Sequence, residues 1–153
     1  MRLYLLAAVC AAASATARAE LLTFNEWTVE DDGRKCVMTY EDTDRMIDII
    51  AEKGGFAQFA TDPSTTGDIF KLFDAEVLLA GKSQGFRKGE TRILSTQIGA
   101  GYVMKFEPQM LAASSENGNG EIRRDGKVIF RFPMKGAPAA AKALLACQAR
   151  ISG

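Results

Sequence analysis

The sequence contains no histidine among its 153 residues. Catalytic sites that pair serine or cysteine with histidine are therefore excluded, as are the commonest zinc and copper ligand sets. Three cysteines are too few for a four-cysteine zinc site, and none of them belongs to a Cys-x-x-Cys redox pair. We therefore predict neither a metal nor a cofactor, and no spacing of side chains assigns a catalytic residue.

The chain also lacks an excess of either charge, with 19 basic and 19 acidic residues. Removal of residues 1–19, which contain Arg2 and Arg18, would leave 17 basic residues against 19 acidic ones, a net charge of −2. A nucleic-acid partner requires a basic surplus that neutralises phosphates. The composition therefore predicts that the protein does not bind nucleic acid.

Long apolar runs are absent except at the N-terminus. Arg2 precedes an apolar segment over 3–13, and Ala17-Arg18-Ala19 matches the small-x-small cleavage site of a secretory signal peptide. The apolar segment is too short for a bilayer, which needs roughly 20 residues. We predict a signal peptide over 1–19, cleaved after Ala19, and a periplasmic or secreted β-rich domain over 20–153 without a transmembrane anchor.

A competing interpretation of the N-terminus involves Cys10, which would be a lipidation site if cleavage fell just before it. The preceding residue, Val9, is larger than the small residue such a site prefers. Lipidation at Cys10 stays open as the alternative to cleavage after Ala19.

Cys36 and Cys147 are the two cysteines of the predicted mature chain. An oxidising compartment permits disulfides, and two cysteines allow one pairing. The bond would close a span of 111 residues, for which chain entropy predicts a stabilisation on the order of 4–5 kcal/mol. Two separate buried thiols are the alternative.

Alternating apolar and polar residues predict many short strands separated by turns. Asp32-Gly33 and Asp125-Gly126 are typical of hairpin turns, and glycines at 54–55 and 99–101 indicate two more. The predicted strands cover 21–29, 35–40, 46–51, 56–60, 69–73, 77–80, 91–97, 102–106, 121–124 and 127–132.

The C-terminal segment changes to a helical period. Ala140, Leu144, Cys147 and Ile151 recur on one face of a predicted helix over 137–151. A shorter helix is predicted over 109–114 because Pro108 suits a first helical turn. The fold class is thus mainly β: an antiparallel β-sandwich or strongly curved sheet with one C-terminal α-helix packed on it.

Two kinds of charged cluster are candidate sites. Two acidic clusters, one over 30–32 and one over 41–44 that includes Thr43, flank one hairpin, and they would either bind calcium or form solvated turns. Lys82, Arg87 and Lys88 surround Phe86 in a predicted loop over 81–89, which would either contact an anionic lipid headgroup, glycan or partner or be solvated.

Trp27 is the only tryptophan in the chain. A partly exposed tryptophan is a frequent binding hot spot, but this one lies in an alternating segment near the cysteine hairpin. We predict a core position for Trp27.

The segments Trp27-Thr28-Val29 and Cys36-Val37-Met38, after a signal peptide, resemble the invasion-associated locus B family of exported alphaproteobacterial proteins. The small-residue segment that follows a strand at 130–145 resembles the C-terminal part of that family. Unlike the family, this chain has no cysteine just after Trp27-Thr28-Val29. The resemblance covers about a quarter of the chain and implies a non-enzymatic role in envelope biology or host association.

Three functional hypotheses follow. The first is a non-catalytic periplasmic binding or interaction protein of the bacterial envelope, whose partner is another envelope protein or a host protein. The second is an inhibitor or immunity protein that blocks a secreted hydrolase. The third is a carboxylate-based glycan hydrolase, which would need two facing carboxylates in a cleft.

Overall fold

The computed structural model describes residues 20–43, 45–51, 56–60, 70–95 and 99–152. These residues form ten strands and two helices. The strands are β1 (Glu20–Phe24), β2 (Trp27–Asp31), β3 (Cys36–Asp42), β4 (Arg45–Ile50), β5 (Phe56–Ala60), β6 (Leu72–Leu79), β7 (Lys82–Ser95), β8 (Gly99–Lys105), β9 (Asn119–Arg124) and β10 (Lys127–Pro133). The helices are α1 (Pro108–Ala112) and α2 (Ala137–Ser152). The predicted signal peptide and Cys10 lie outside the described residues.

All ten strands belong to one antiparallel sheet. Their order is β1-β2-β3-β4-β5-β8-β7-β6-β9-β10. The first five strands form a meander, and β8 then pairs with β5, so that the second half of the chain extends the same sheet. The predicted mainly β fold with a C-terminal helix is confirmed.

The sheet is strongly curved. Trp27 on β2 and Pro133 on β10 lie near opposite ends of the strand order, yet the Trp27 indole N–H donates a hydrogen bond of 3.0 Å to the Pro133 carbonyl oxygen. The Trp27 ring also meets Phe132 edge-to-face, with ring centroids 5.8 Å apart. A flat sheet would hold these strands far apart, since neighbouring strands are spaced about 4.8 Å.

The core contains large apolar side chains from both halves of the sheet and from the helices. Trp27 is fully buried there, as predicted. Helix α2 packs against α1 and against β1, β2 and β3, and it buries Ala140 and Leu144 on the face that the sequence period indicated. Helix α2 therefore covers the core face of β1, β2 and β3.

The first predicted strand is wrong in one respect. Residues 21–29 form a tight hairpin of β1 and β2 rather than a single strand. Asn25 adopts a positive φ of 56° at the turn, a conformation that asparagine tolerates better than most residues. Because apolar residues lie on both sides of Asn25, the alternation of apolar and polar residues does not indicate this turn.

The predicted loop over 81–89 is also wrong, because these residues lie in the long strand β7 and its turn. Ala80 and Gly81 both have positive φ and form the two-residue turn from β6. Gly85 lies at an irregularity of the β6–β7 register, and Gly89 faces the Phe73 ring. The glycines thus serve a bulge and an aromatic contact rather than a loop.

Other boundaries shift, while several turns are confirmed. Residues 99–101 lie in β8 rather than in a turn, and the predicted strands over 69–73 and 77–80 merge into β6 from residue 72 onward. Asp32-Gly33 and Asp125-Gly126 join the hairpins that the sequence indicated. Strands β4 and β5 pair as expected, with the predicted turn at 54–55 outside the described residues.

Candidate functional site

Cys36 and Cys147 form the predicted disulfide. Cys36 is the first residue of β3 and Cys147 lies on α2, with their Cα atoms 6.1 Å apart. Beside this bond, Arg150 of α2 forms an ion pair with Asp31, the last residue of β2. The disulfide and the ion pair together hold the C-terminal part of α2 against the start of the sheet.

An open groove lies between β1 and α2, next to the disulfide. Its volume is about 360 Å³. The walls are mainly apolar, because α2 presents small side chains to a strand that presents leucine. The residues that line this β1–α2 groove are Glu20, Leu22, Val29, Asp31, Ala143, Ala146, Cys147 and Arg150.

Strand β1 is an edge strand of the sheet. Phe24 and Trp27 close its hairpin with β2, and hydrogen-bonded pairs alternate along an antiparallel ladder. The main-chain groups of Leu21 and Thr23 consequently point away from β2, toward the free edge. Leu21 and Leu22 are exposed by 63% and 40%, so the edge carries unusual apolar surface.

Unpaired carboxylates border this edge. Glu20, Glu26 and Glu30 are exposed, and within the described ranges none of them forms an ion pair. Arg150, the cation that lines the groove, is paired with Asp31. Lys35 lines one pocket together with Glu30, so acidic side chains outnumber basic ones around β1 without excluding them.

A second pocket, of about 350 Å³, lies on the outer face of the sheet. Glu30, Asp32, Lys35, Val37, Thr39 and Asp48 line this outer pocket. Thr39 Oγ1 donates a hydrogen bond of 2.8 Å to Asp48 Oδ1. Burial is the main cause that raises the pKa of Asp48 above its ordinary value.

The predicted acidic clusters mainly stabilise turns. Asp32 Oδ1 accepts hydrogen bonds of 2.8 Å from the backbone N–H groups of Arg34 and Lys35, and these bonds lower the pKa of Asp32. Asp42 likewise accepts a bond from the N–H of Thr43. Residue 44 lies outside the described residues. Asp32 therefore fits the turn interpretation, whereas Asp31 lies in β2 and is paired with Arg150.

One group with metal-ligand proximity occurs in the described part of the chain, and it consists of Asp31, Cys36 and Cys147. Both sulfur atoms are joined in the disulfide, so neither is a thiolate that would bind a metal.

The basic residues around Phe86 are separated by ion pairs. Arg87 forms a salt bridge of 3.2 Å with Glu107, and Lys88 forms one of 2.7 Å with Asp74. Lys82 instead lines a pocket of about 400 Å³ beside α1, with Met110 among its neighbours. The structure therefore does not gather the three cations into one anion site.

Comparison with protein-family models, curated proteins and solved structures finds no match for this chain. No helix in the described ranges has the length and apolar character needed to cross a bilayer.

The β1–α2 groove was not predicted from the sequence. Its walls come from residues more than a hundred positions apart, and the hairpin that creates the edge was interpreted as a single strand. The exposed pair Leu21-Leu22 ahead of Asn25-Glu26 is the available signal, since an apolar pair before a turn-forming asparagine marks a possible strand end.

Proposed function

We propose that this chain is a non-catalytic, exported interaction protein that binds a protein partner at the β1–α2 groove. The observation that carries this proposal is the edge of β1, which no described strand covers, beside a mainly apolar groove of about 360 Å³. An exposed edge with apolar side chains is normally covered or blunted in a protein that works alone.

The chemistry of the groove supports binding rather than catalysis. Its two charged partners, Asp31 and Arg150, neutralise each other, and its sulfur atoms are joined in a disulfide. The walls thus provide apolar area and main-chain groups. Within the described ranges Glu20 is the one carboxylate of the lining without an ion-pair partner, and no second carboxylate of the groove is free to act with it. The resemblance to the invasion-associated locus B family adds that the partner is an envelope or host protein.

Export is part of the same proposal, and intact-mass measurement of the protein recovered from outside the cytoplasm tests it. The expected mass is that of a chain that begins at Glu20 and contains one disulfide. A retained leader, or a mass that includes lipid on Cys10, would contradict cleavage after Ala19.

Site-specific photo-cross-linking in the native cells tests the binding surface. A photoreactive residue in place of Leu22, which lines the groove, should yield an adduct with a protein partner. The same residue at Val128, exposed on β10, is the matched control and should yield none. Ala146→Phe, which fills the groove, should abolish the Leu22 adduct, whereas Ala149→Phe on exposed helix surface should not. Adducts at Val128 alone would overturn the proposal.

An inhibitor or immunity protein is a subtype of this proposal, in which the partner is a secreted hydrolase. The identity of the protein cross-linked at Leu22 decides it. A hydrolase whose activity falls on addition of the purified chain supports the subtype, and any other partner refutes it.

A carboxylate-based glycan hydrolase is the second candidate, and it is favoured by the outer pocket. Glu30 and Asp48 line this pocket together, and the raised pKa of Asp48 is a property of catalytic acids. Release of reducing sugar from envelope glycans, lost in both Glu30→Gln and Asp48→Asn, would support this candidate. Activity that survives both substitutions would refute it.

A further inference from the structure

We infer that the partner adds to β1 as a further β-strand, and that this strand alternates apolar side chains with basic ones. The inference rests on the proposed function, because it specifies the partner of the same groove. Three independent features of the groove lead to it: the main-chain groups at the edge, the shape of the apolar space and the sign of the surrounding charge.

The edge offers main-chain hydrogen bonds to an extended peptide. Leu21 and Thr23 each direct one N–H and one C=O away from β2, and no other described strand pairs with them. Strand addition uses such groups to bind the backbone of a peptide irrespective of its sequence. A helical partner would leave these groups without partners.

The groove provides the apolar half of the recognition. A strand added beside β1 would direct alternate side chains toward α2, on the same face as Leu22. Ala143 and Ala146 leave space there, because neither fills the distance between α2 and β1. The groove borders β1 at Glu20 and Leu22, so its space of about 360 Å³ fits aliphatic side chains at two alternate positions of the peptide.

The charge around the edge favours basic side chains at the outward positions of the partner strand. It also disfavours a second copy of this chain as the partner. Glu26 and Glu30 lie around the edge without ion-pair partners in the part of the chain that the structure describes, whereas Glu20 lines the groove itself. Pairing of two β1 strands would bring two sets of these carboxylates together, which is repulsive. Lysine or arginine at the outward positions of a partner strand would be attracted to Glu30, which lies opposite Leu21 on the outer face, and to Glu26 at the turn.

Defined peptides test the inference on the purified exported chain. The probe is a nine-residue peptide that alternates valine and lysine, and the matched control alternates valine and glutamate. In fluorescence anisotropy the lysine peptide should bind at least tenfold more tightly, and its affinity should fall as salt is raised. Hydrogen exchange should slow at the amides of Leu21 and Thr23.

Variants separate strand addition from other modes of binding. Leu21→Pro removes an N–H that the fold does not use, and proline is tolerated on edge strands. This variant and Ala146→Phe should each weaken binding of the lysine peptide at least tenfold, whereas Ala149→Phe should bind as the parent does. Unchanged exchange of the core amides verifies that each variant is folded.

Each contrary result has a distinct meaning. Equal affinity for both peptides refutes the basic partner, and full affinity in Leu21→Pro refutes strand addition. A dimer that dissociates on Ala146→Phe identifies a second copy as the occupant and overturns the inference. A photo-adduct at Leu22 without peptide binding refutes the inference alone, whereas peptide binding without an adduct refutes the proposed function.

Discussion

Asp48 is half-buried on β4, where its carboxylate accepts the hydroxyl hydrogen of Thr39. Burial raises the pKa of Asp48 in the folded state, so the folded protein binds this proton more tightly than the unfolded chain. Stability contributed by the group therefore falls as pH rises from about 4, the ordinary aspartate value, through the raised pKa. Asp48→Asn should be more stable than the parent at pH 7 and should lose this advantage at pH 3.

Urea denaturation of both proteins at the two pH values measures the effect. The same measurement on Glu30→Gln, at an exposed neighbour in the same pocket, is the control for the replacement of a carboxylate by an amide. The same stability difference at pH 3 and pH 7 would contradict the assignment to Asp48.

The close contact between Gly89 and the Phe73 ring leaves no space for a side chain at position 89. A Cβ atom there would lie 2.6 Å from Cζ of Phe73, closer than side chains pack. Gly89→Ala should therefore reduce the free energy of unfolding by about 1–3 kcal/mol, the usual cost of overpacking. Lys88→Ala on the opposite face of β7 removes only an exposed salt bridge and should cost less than about 1 kcal/mol. Chemical denaturation compares the two, and equal losses would disprove the steric explanation.

At the scale of elements, the disulfide ties α2 to β3. Cys147→Ser should lower the free energy of unfolding by about 2–5 kcal/mol, because it releases a constraint on 111 residues and loosens the last helix. Limited proteolysis should then cut α2 before the sheet. Ala149→Ser changes an exposed position of the same helix and should cost less than about 1 kcal/mol. A Cys147→Ser variant that melts with the parent would contradict this account.

The elements also show what the sequence predicts and what it does not. Turns such as Asp125-Gly126 are predictable because their backbone needs positive φ at both positions, which few residue pairs adopt. The hairpin at Asn25 and the glycines of β7 escaped prediction, because their roles depend on partners elsewhere in the sheet. The disulfide followed from composition, whereas the groove depends on how α2 meets β1, which no local pattern encodes.

For the whole molecule, Trp27 joins the two ends of the sheet. Trp27→Phe keeps an aromatic ring but removes the N–H that reaches the Pro133 carbonyl. Loss of this partly buried hydrogen bond should cost about 1–3 kcal/mol and should increase hydrogen exchange in β2 and β10 together. Tyr40→Phe keeps the ring that contacts Trp27 at a tilted angle and should change stability by less than about 0.5 kcal/mol. Exchange that rises in β2 alone would show that the ends are not coupled.

Because α2 packs on β1, β2 and β3, the first strands of the chain can complete their packing only after the last helix has been synthesised. Synthesis at about 5–20 residues per second delivers these strands several seconds before their helix emerges from the ribosome. During that interval their apolar face is not covered by α2, and Cys36 cannot yet pair with Cys147. A nascent chain that lacks residues 137–152 should therefore remain without the packing and the disulfide that complete these strands.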